Sequence, residues 1–270
     1  MEPLVSELTD PAHDEPLKRS LVRVWDADAA GYDALPGHGL RDVRVEEVWR
    51  AAVAGILGDA RQGGAPRLCV LDVGTGTGVV ALLAAGLGHA VTAIDLSQGM
   101  LARGIMRARE LGLDIDFGIG DAEAPAYADG SFDVVISRHV LWTLPHPGEA
   151  TTHWTALVVP GGLVAVFDGY SPRLAPHRRA LAVLAERIDA SRRRPAGGHH
   201  YSAQLRAGLP LAEQRDPSAG ERVLHAAGLD DVRARRLPEI DAAERAVLGP
   251  LRRLGRPFLH YLATGRRARP

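Results

Sequence analysis

One cysteine, Cys69, occurs in 270 residues, so an intrachain disulfide and a cysteine-rich metal site are both excluded. Cys69 sits inside an apolar run and is expected to be a buried spectator. Lys18 is the only lysine, which leaves 31 of the 32 basic residues as arginine; this reads as the codon bias of a GC-rich genome rather than as chemistry. Charge of one sign is not in excess either. A net charge of −1 and a pI near 6.8 give no electrostatic case for a polyanion, so nucleic acid is not the expected partner. No run approaches the roughly 18 apolar residues of a membrane span, so no membrane partner is expected. The opening MEPLVSELTDPAHDEPL has neither the basic start nor the apolar core of a signal peptide, and a cytoplasmic protein is expected. What the chain does have, 46% hydrophobic and 24% charged residues, suits an ordinary globular protein with one sizeable core.

The most informative stretch is LCVLDVGTGTG, residues 68 to 78: an apolar run that reads as a buried strand, an acid, then glycines at alternate positions. Gly74, Gly76 and Gly78 let the backbone turn sharply and approach a ligand, and VVALLAAGL continues as a helix from that turn. A dinucleotide loop places phosphates on the helix N-terminus, where Asp72 would repel them. Asp72 is better explained by a ligand that presents a cation near the strand end. Gly76, Gly78 and Ala81 nevertheless fit the looser G-x-G-x-x-A pattern, so a nicotinamide enzyme stays open. Asp95 lies 17 positions beyond Gly78, which puts it at the tip of the second strand, where an acid accepts bonds from ribose hydroxyls.

Four segments together resemble the class I S-adenosylmethionine-dependent methyltransferases, in particular the ubiquinone and menaquinone methyltransferase branch. They are VLDVGTGTG, AIDLSQGML at 93 to 101, GDAEAPAYADGSFDVVISRHVLWTLPHP at 120 to 147, and LVVPGGLVAVFDGY at 157 to 170. The resemblance implies an α/β fold with a Rossmann-like seven-stranded sheet whose last strand is antiparallel. It implies S-adenosyl-L-methionine as cofactor, held by Tyr32, Asp72, Gly74, Thr75, Gly76, Gly78, Asp95, Leu96, Met100, Gly120, Asp121, Ala122 and Arg138. Among these, Asp121 and Ala122 would meet the adenine, and Tyr32 in the N-terminal cap would close over the donor with a cation–π attraction to the sulfonium.

Hydrophobic spacing gives the organisation around this core. Residues 1 to 64 read as a flexible start followed by two amphipathic cap helices, the first with Leu17, Leu21, Val24 and Trp25 and the second with Val45, Val48, Trp49, Val53, Ile56 and Leu57 on one face. Residues 65 to 170 alternate strand and helix, as a parallel sheet requires. Residues 171 to 217 depart from that rhythm and read as a lid insertion, and residues 218 to 270 return to the sheet.

Methyl transfer from a sulfonium needs the nucleophile in line, water excluded and often a base. His139 after the fourth strand is the first candidate base; His200 and Tyr201 in the lid are the other catalytic candidates. Trp142, Tyr170 and His199 are placed at the acceptor. Adjacent histidines lack the spacing of a usual metal site, so no metal is expected. Arg138 would pair with a carboxylate, or form a salt bridge to Asp133 or Asp168. RRLGR at 252 to 256 reads as a solvated face, and Trp25, Trp49 and Trp154 as helix packing. The expected reaction is methylation of a small organic acceptor on nitrogen, oxygen or carbon, in specialised natural-product biosynthesis. A donor-binding catalyst that transfers no methyl stays open, as does a homodimer.

Overall fold

Continuous runs of Val, Ile, Leu and Ala form the central strands, because strands covered on both faces carry no polar alternation. A computed structural model describes residues 16–34, 37–61, 66–192, 201–213, 216–250, 252–255 and 257–269. The expected flexible start, residues 1 to 15, lies outside them. Two helices come first, α1 (Pro16–Tyr32) and α2 (Val43–Ala60). The alternating part then runs β1 (Cys69–Val73), α3 (Val79–Gly86), β2 (Ala90–Asp95), α4 (Gln98–Glu110), β3 (Asp116–Ile119), β4 (Phe132–Arg138), α5 (Pro147–Leu157) and β5 (Val158–Tyr170). After α6 (Pro176–Arg192), α7 (Ala203–Ala207) and α8 (Ser218–Ala226), the chain closes with β6 (Asp230–Arg236), α9 (Pro238–Val247) and β7 (Leu259–Arg266).

The seven strands lie in the order β3-β2-β1-β4-β5-β7-β6. The first five are parallel, and β7 is inserted antiparallel between β5 and β6. This is the Rossmann-like sheet with a reversed last strand that the resemblance implies. Two apolar layers cover it. Trp49, Val53, Ile56 and Leu57 of α2 pack with Val79, Val80 and Leu83 of α3 and Ile240 of α9 on one face, and Trp154 and Leu157 of α5 with Leu224 of α8 on the other. Burying each such side chain contributes about 1.5 to 3 kcal/mol.

Three polar side chains tie α1 to the carboxyl edge of the sheet. Asp26 accepts from Ser97 Oγ at 2.5 Å and from the Gly99 N–H at 3.0 Å, at the start of α4. Just past the helix, Asp33 accepts from Thr77 Oγ1 at 2.6 Å. Lys18 reaches Asp121 and Glu123.

Cys69 is exposed, contrary to expectation. It is the first residue of β1 at the amino end of the sheet, and only the four residues after it are covered.

Candidate functional site

Parallel strands end in the loops that build a ligand site, and here the ends of β1, β2 and β4 meet under α1. Gly74 and Gly76 hold φ of 64° and 56°, a region open to glycine at no steric cost. A Cβ on Gly74 would stand 2.5 Å from Val140 Cγ2, whereas one on Gly76 would project into open space. We expect Gly74→Ala to lower stability by about 2 to 4 kcal/mol, from the left-handed backbone and the overpacking together. Thermal unfolding checks this; an unchanged midpoint would mean that the loop does not need its glycine.

Asp72 is buried and turned into the loop. It accepts from Thr75 Oγ1 at 2.6 Å and from the Ala81 N–H at 3.0 Å, and burial pushes its carboxyl up to about 7. Asp72 and Thr75 therefore shape the loop and line neither of the cavities described below, unlike the expected direct contact with a cation. Gly78 caps α3 with φ 82° and likewise lies outside them. Asp95, at the tip of β2, accepts from the Gly76 N–H and the Ser97 N–H, both at 2.8 Å; burial pushes it up to about 6.

Two adjoining cavities open at this edge. The first, of about 110 Å³, is lined by Gly74, Gly76, Asp95, Leu96, Met100, Gly120, Asp121, Ala122 and Arg138, with Lys18 and Glu123. The second, of about 370 Å³, is walled by Trp142, Phe258, His38 and His260, with Asp241, Glu244 and Arg245. Trp25, Tyr32 and His139 line both. Burial pushes the Tyr32 phenol up to about 12, so Tyr32 is a neutral wall. His139 adopts φ 59° at the end of β4, an uncommon backbone for a residue with a Cβ and one that clusters at functional sites.

Of the two alternatives for Arg138, the salt bridge to Asp133 or Asp168 is not formed. Asp133 accepts from the Cys69 N–H, and Asp168 accepts from the backbone of Trp142 and Gly169, its carboxyl raised by burial to about 7. The guanidinium of Arg138 instead donates to the Gly37 carbonyl and lies 4.4 Å over the Trp49 ring. Burial holds it below the ordinary arginine value.

Other sequence candidates are redistributed. Tyr170 packs against Tyr261 in the core and lines neither cavity. Tyr201 is buried with Leu21 and Leu209, behind the rings of Trp25 and Trp142; burial raises its phenol well above the ordinary value, so it buttresses the wall. His199 and His200 lie outside the described residues. Trp25, expected to pack, is a cavity wall, and Arg252 and Arg253 are among the residues that line the second cavity rather than a plain solvated face. Sequence reasoning missed Lys18, Asp241, Glu244, Phe258 and His260. The one available signal for Lys18 was its being the chain's sole lysine; for His260 it was a histidine within an otherwise apolar strand. Among the described residues no group of three or more His, Cys, Asp or Glu could hold a metal ion, and no helix is long and apolar enough to cross a membrane.

A family described as methyltransferase domain matches residues 71–166. The chain is 34% identical over 181 residues to the ubiquinone biosynthesis O-methyltransferase of Xanthomonas euvesicatoria, covering 66% of this chain and 68% of that protein. It is 32% identical over 185 residues to the enzyme of the same name from Burkholderia cenocepacia, covering 68% and 72%. Among solved structures, geranyl diphosphate C-methyltransferase from Streptomyces coelicolor, in complex with Mg2+, geranyl diphosphate and S-adenosyl-L-homocysteine, superposes with a TM-score of 0.60 at 15% identity, over 94% of this chain and 99% of that one. These matches resolve the ambiguity of the glycine loop against a nicotinamide ligand.

Proposed function

This chain belongs to the class I S-adenosylmethionine-dependent methyltransferases of small-molecule type, and we propose that its methyl acceptor is a small, flat organic molecule held in the second cavity. Its cofactor is S-adenosylmethionine, which when bound supplies an electrophilic methyl group on sulfur. The first cavity fits that group: a Cβ would fill the space above Gly76, and the carboxylate of Asp95 stands at the rim. In this reading Gly74 and Gly76 admit the amino-acid end, Asp95 receives the ribose hydroxyls, and Met100, Asp121 and Ala122 border the adenine. The shared walls Trp25, Tyr32 and His139 exclude water from the junction and hold the acceptor against the donor.

The observation that carries the proposal is the junction itself, where one histidine and two aromatic rings face both cavities. A cavity with so many rings suits a planar aromatic or heteroaromatic acceptor. Residues 201–213 form part of a lid, with Tyr201 packed against the rings of Trp25 and Trp142. Such an acceptor is in keeping with specialised natural-product biosynthesis.

Isothermal titration with S-adenosylmethionine and S-adenosylhomocysteine, with NADH as control, is expected to give micromolar binding of the first two alone. Screening aromatic acceptors by mass should then reveal a product heavier by one methyl. A compound that turns over without gaining a methyl would replace transfer by another reaction on the same cofactor, and binding of NADH alone would end the reading.

A further inference from the structure

The wall of the second cavity contains a histidine that the cofactor site does not use. His260 is the second residue of β7, with its side chain 2% exposed. Asp241 Oδ1 accepts from the backbone N–H of His260 at 2.8 Å and lies 2.9 Å from Nδ1 of its ring. An ionised carboxylate only accepts, so Nδ1 carries the proton of that bond, and in the neutral imidazole Nε2 keeps its lone pair. Nε2 stands 3.6 Å from Glu244 Oε2, beyond a hydrogen bond. Glu244 is held by the indole N–H of Trp49 at 3.1 Å. The ring of His260, itself part of the lining of the second cavity, is thus fixed by an acid at one nitrogen with the other left for a ligand, an arrangement that serves a general base.

His139 is stacked on His260, with centroids 5.3 Å apart and planes 29° from parallel. Ring nitrogens in a stack point outward in their own planes, so the two imidazoles do not hand a proton to one another. Two further groups bear on the ligand. Asp241 Oδ2 is buried with no hydrogen-bond partner among the described residues, an acceptor left for a donor. Arg138, which precedes the shared His139 and lines the first cavity where the two meet, has an Nε with no hydrogen-bond partner among the described residues. A buried guanidinium so placed favours an oxyanion.

We propose that the Asp241–His260 pair, and not His139, takes the proton of the acceptor, and that the acceptor is a phenolic O–H compound. The inference rests on the reading that the second cavity holds the acceptor. The phenol O–H bond breaks, its electron pair stays on oxygen, and the proton joins Nε2 of His260. The imidazolium so formed lies between Asp241 and Glu244, and the oxyanion is left facing the donor with Arg138 nearby. His139 packs the acceptor into place.

Nitrocatechol reports the step without turnover, because its absorbance moves to longer wavelength when it loses a proton. It would be titrated into protein saturated with S-adenosylhomocysteine, at a pH below its own first ionisation. Wild-type protein is expected to bind it as the anion. His260→Gln is expected to bind it with the anion band reduced about tenfold or more at equal occupancy, and Asp241→Asn to reduce it as well, through loss of the oriented tautomer. Affinity for S-adenosylhomocysteine should stay within about twofold in both variants, which shows that they are folded. An unchanged band in both, loss of the band in His139→Gln alone, or no binding of nitrocatechol by the loaded wild type would each overturn the proposal. Failure of the wild type to bind S-adenosylhomocysteine would instead sink the functional reading beneath it.

Discussion

Asp95→Ala is expected to weaken binding of S-adenosylmethionine and S-adenosylhomocysteine by roughly a hundredfold or more. A hydrogen bond to a charged group contributes about 1.5 to 3 kcal/mol, and two ribose hydroxyls on one carboxylate reach the roughly 3 kcal/mol that a hundredfold requires. The loss does not end there. Asp95 also accepts from the Gly76 and Ser97 N–H groups, so its removal frees both the glycine loop and the first turn of α4. Asp95→Asn keeps the size and one oxygen, and is expected to lose less. Titration calorimetry decides: affinity within about threefold of wild type for the alanine variant would remove Asp95 from the ribose.

Lys18→Met is expected to lower the stability of the protein by about 3 kcal/mol, because removing one partner strands a buried charge. Lys18 Nζ lies 2.6 Å from Asp121 Oδ2 and 2.7 Å from Glu123 Oε2, with side-chain exposures of 7%, 2% and 5%. Burial alone would lower its ammonium, but the bonds to Asp121 and Glu123 more than offset this and hold it above the ordinary lysine value. A group raised in this way stabilises the fold fully below its unfolded value and loses that contribution as pH rises through the folded one. The wild type should therefore weaken in strong alkali more than the variant does. At neutral pH the variant's unfolding midpoint should fall by roughly 10 °C for a chain of this size. A midpoint within about 2 °C of wild type would show that α1 is seated without the help of Lys18.

The parts of this protein that were legible in its sequence are those in which one backbone need dictates one residue type. Gly74 and Gly76 hold positive φ, the acid Asp95 stands at the tip of β2, and the apolar runs became β1, β4 and β5. Legibility fails where a role depends on which way a side chain turns. Spacing points Asp72 at the ligand, yet the Thr75 hydroxyl and the Ala81 N–H turn it inward. Tyr170 and Tyr201 lie in segments that the sequence places around the pocket, yet both are buried behind the walls. Residues brought together from far apart in the chain were invisible altogether. Asp241 and His260 are 19 positions apart on α9 and β7, and Lys18 meets Asp121 across 103. Local spacing carries no trace of either meeting.

The reversed entry of β7 has a consequence for how such a protein changes over time. Because β7 runs against its neighbours, its beginning rather than its end reaches the ligand edge, with Leu259 beside Tyr170 at the tip of β5. Asp241, Phe258 and His260 therefore come from the last part of the chain, outside residues 71–166 that match the methyltransferase domain. Part of the second cavity's wall is thus written in a different stretch of the gene from the glycine loop and Asp95. Mutation or recombination in the last stretch can remodel that part of the wall while the glycine loop and Asp95 are inherited untouched, so that, with the acceptor in the second cavity as proposed, new substrate preferences are reached without first losing the cofactor.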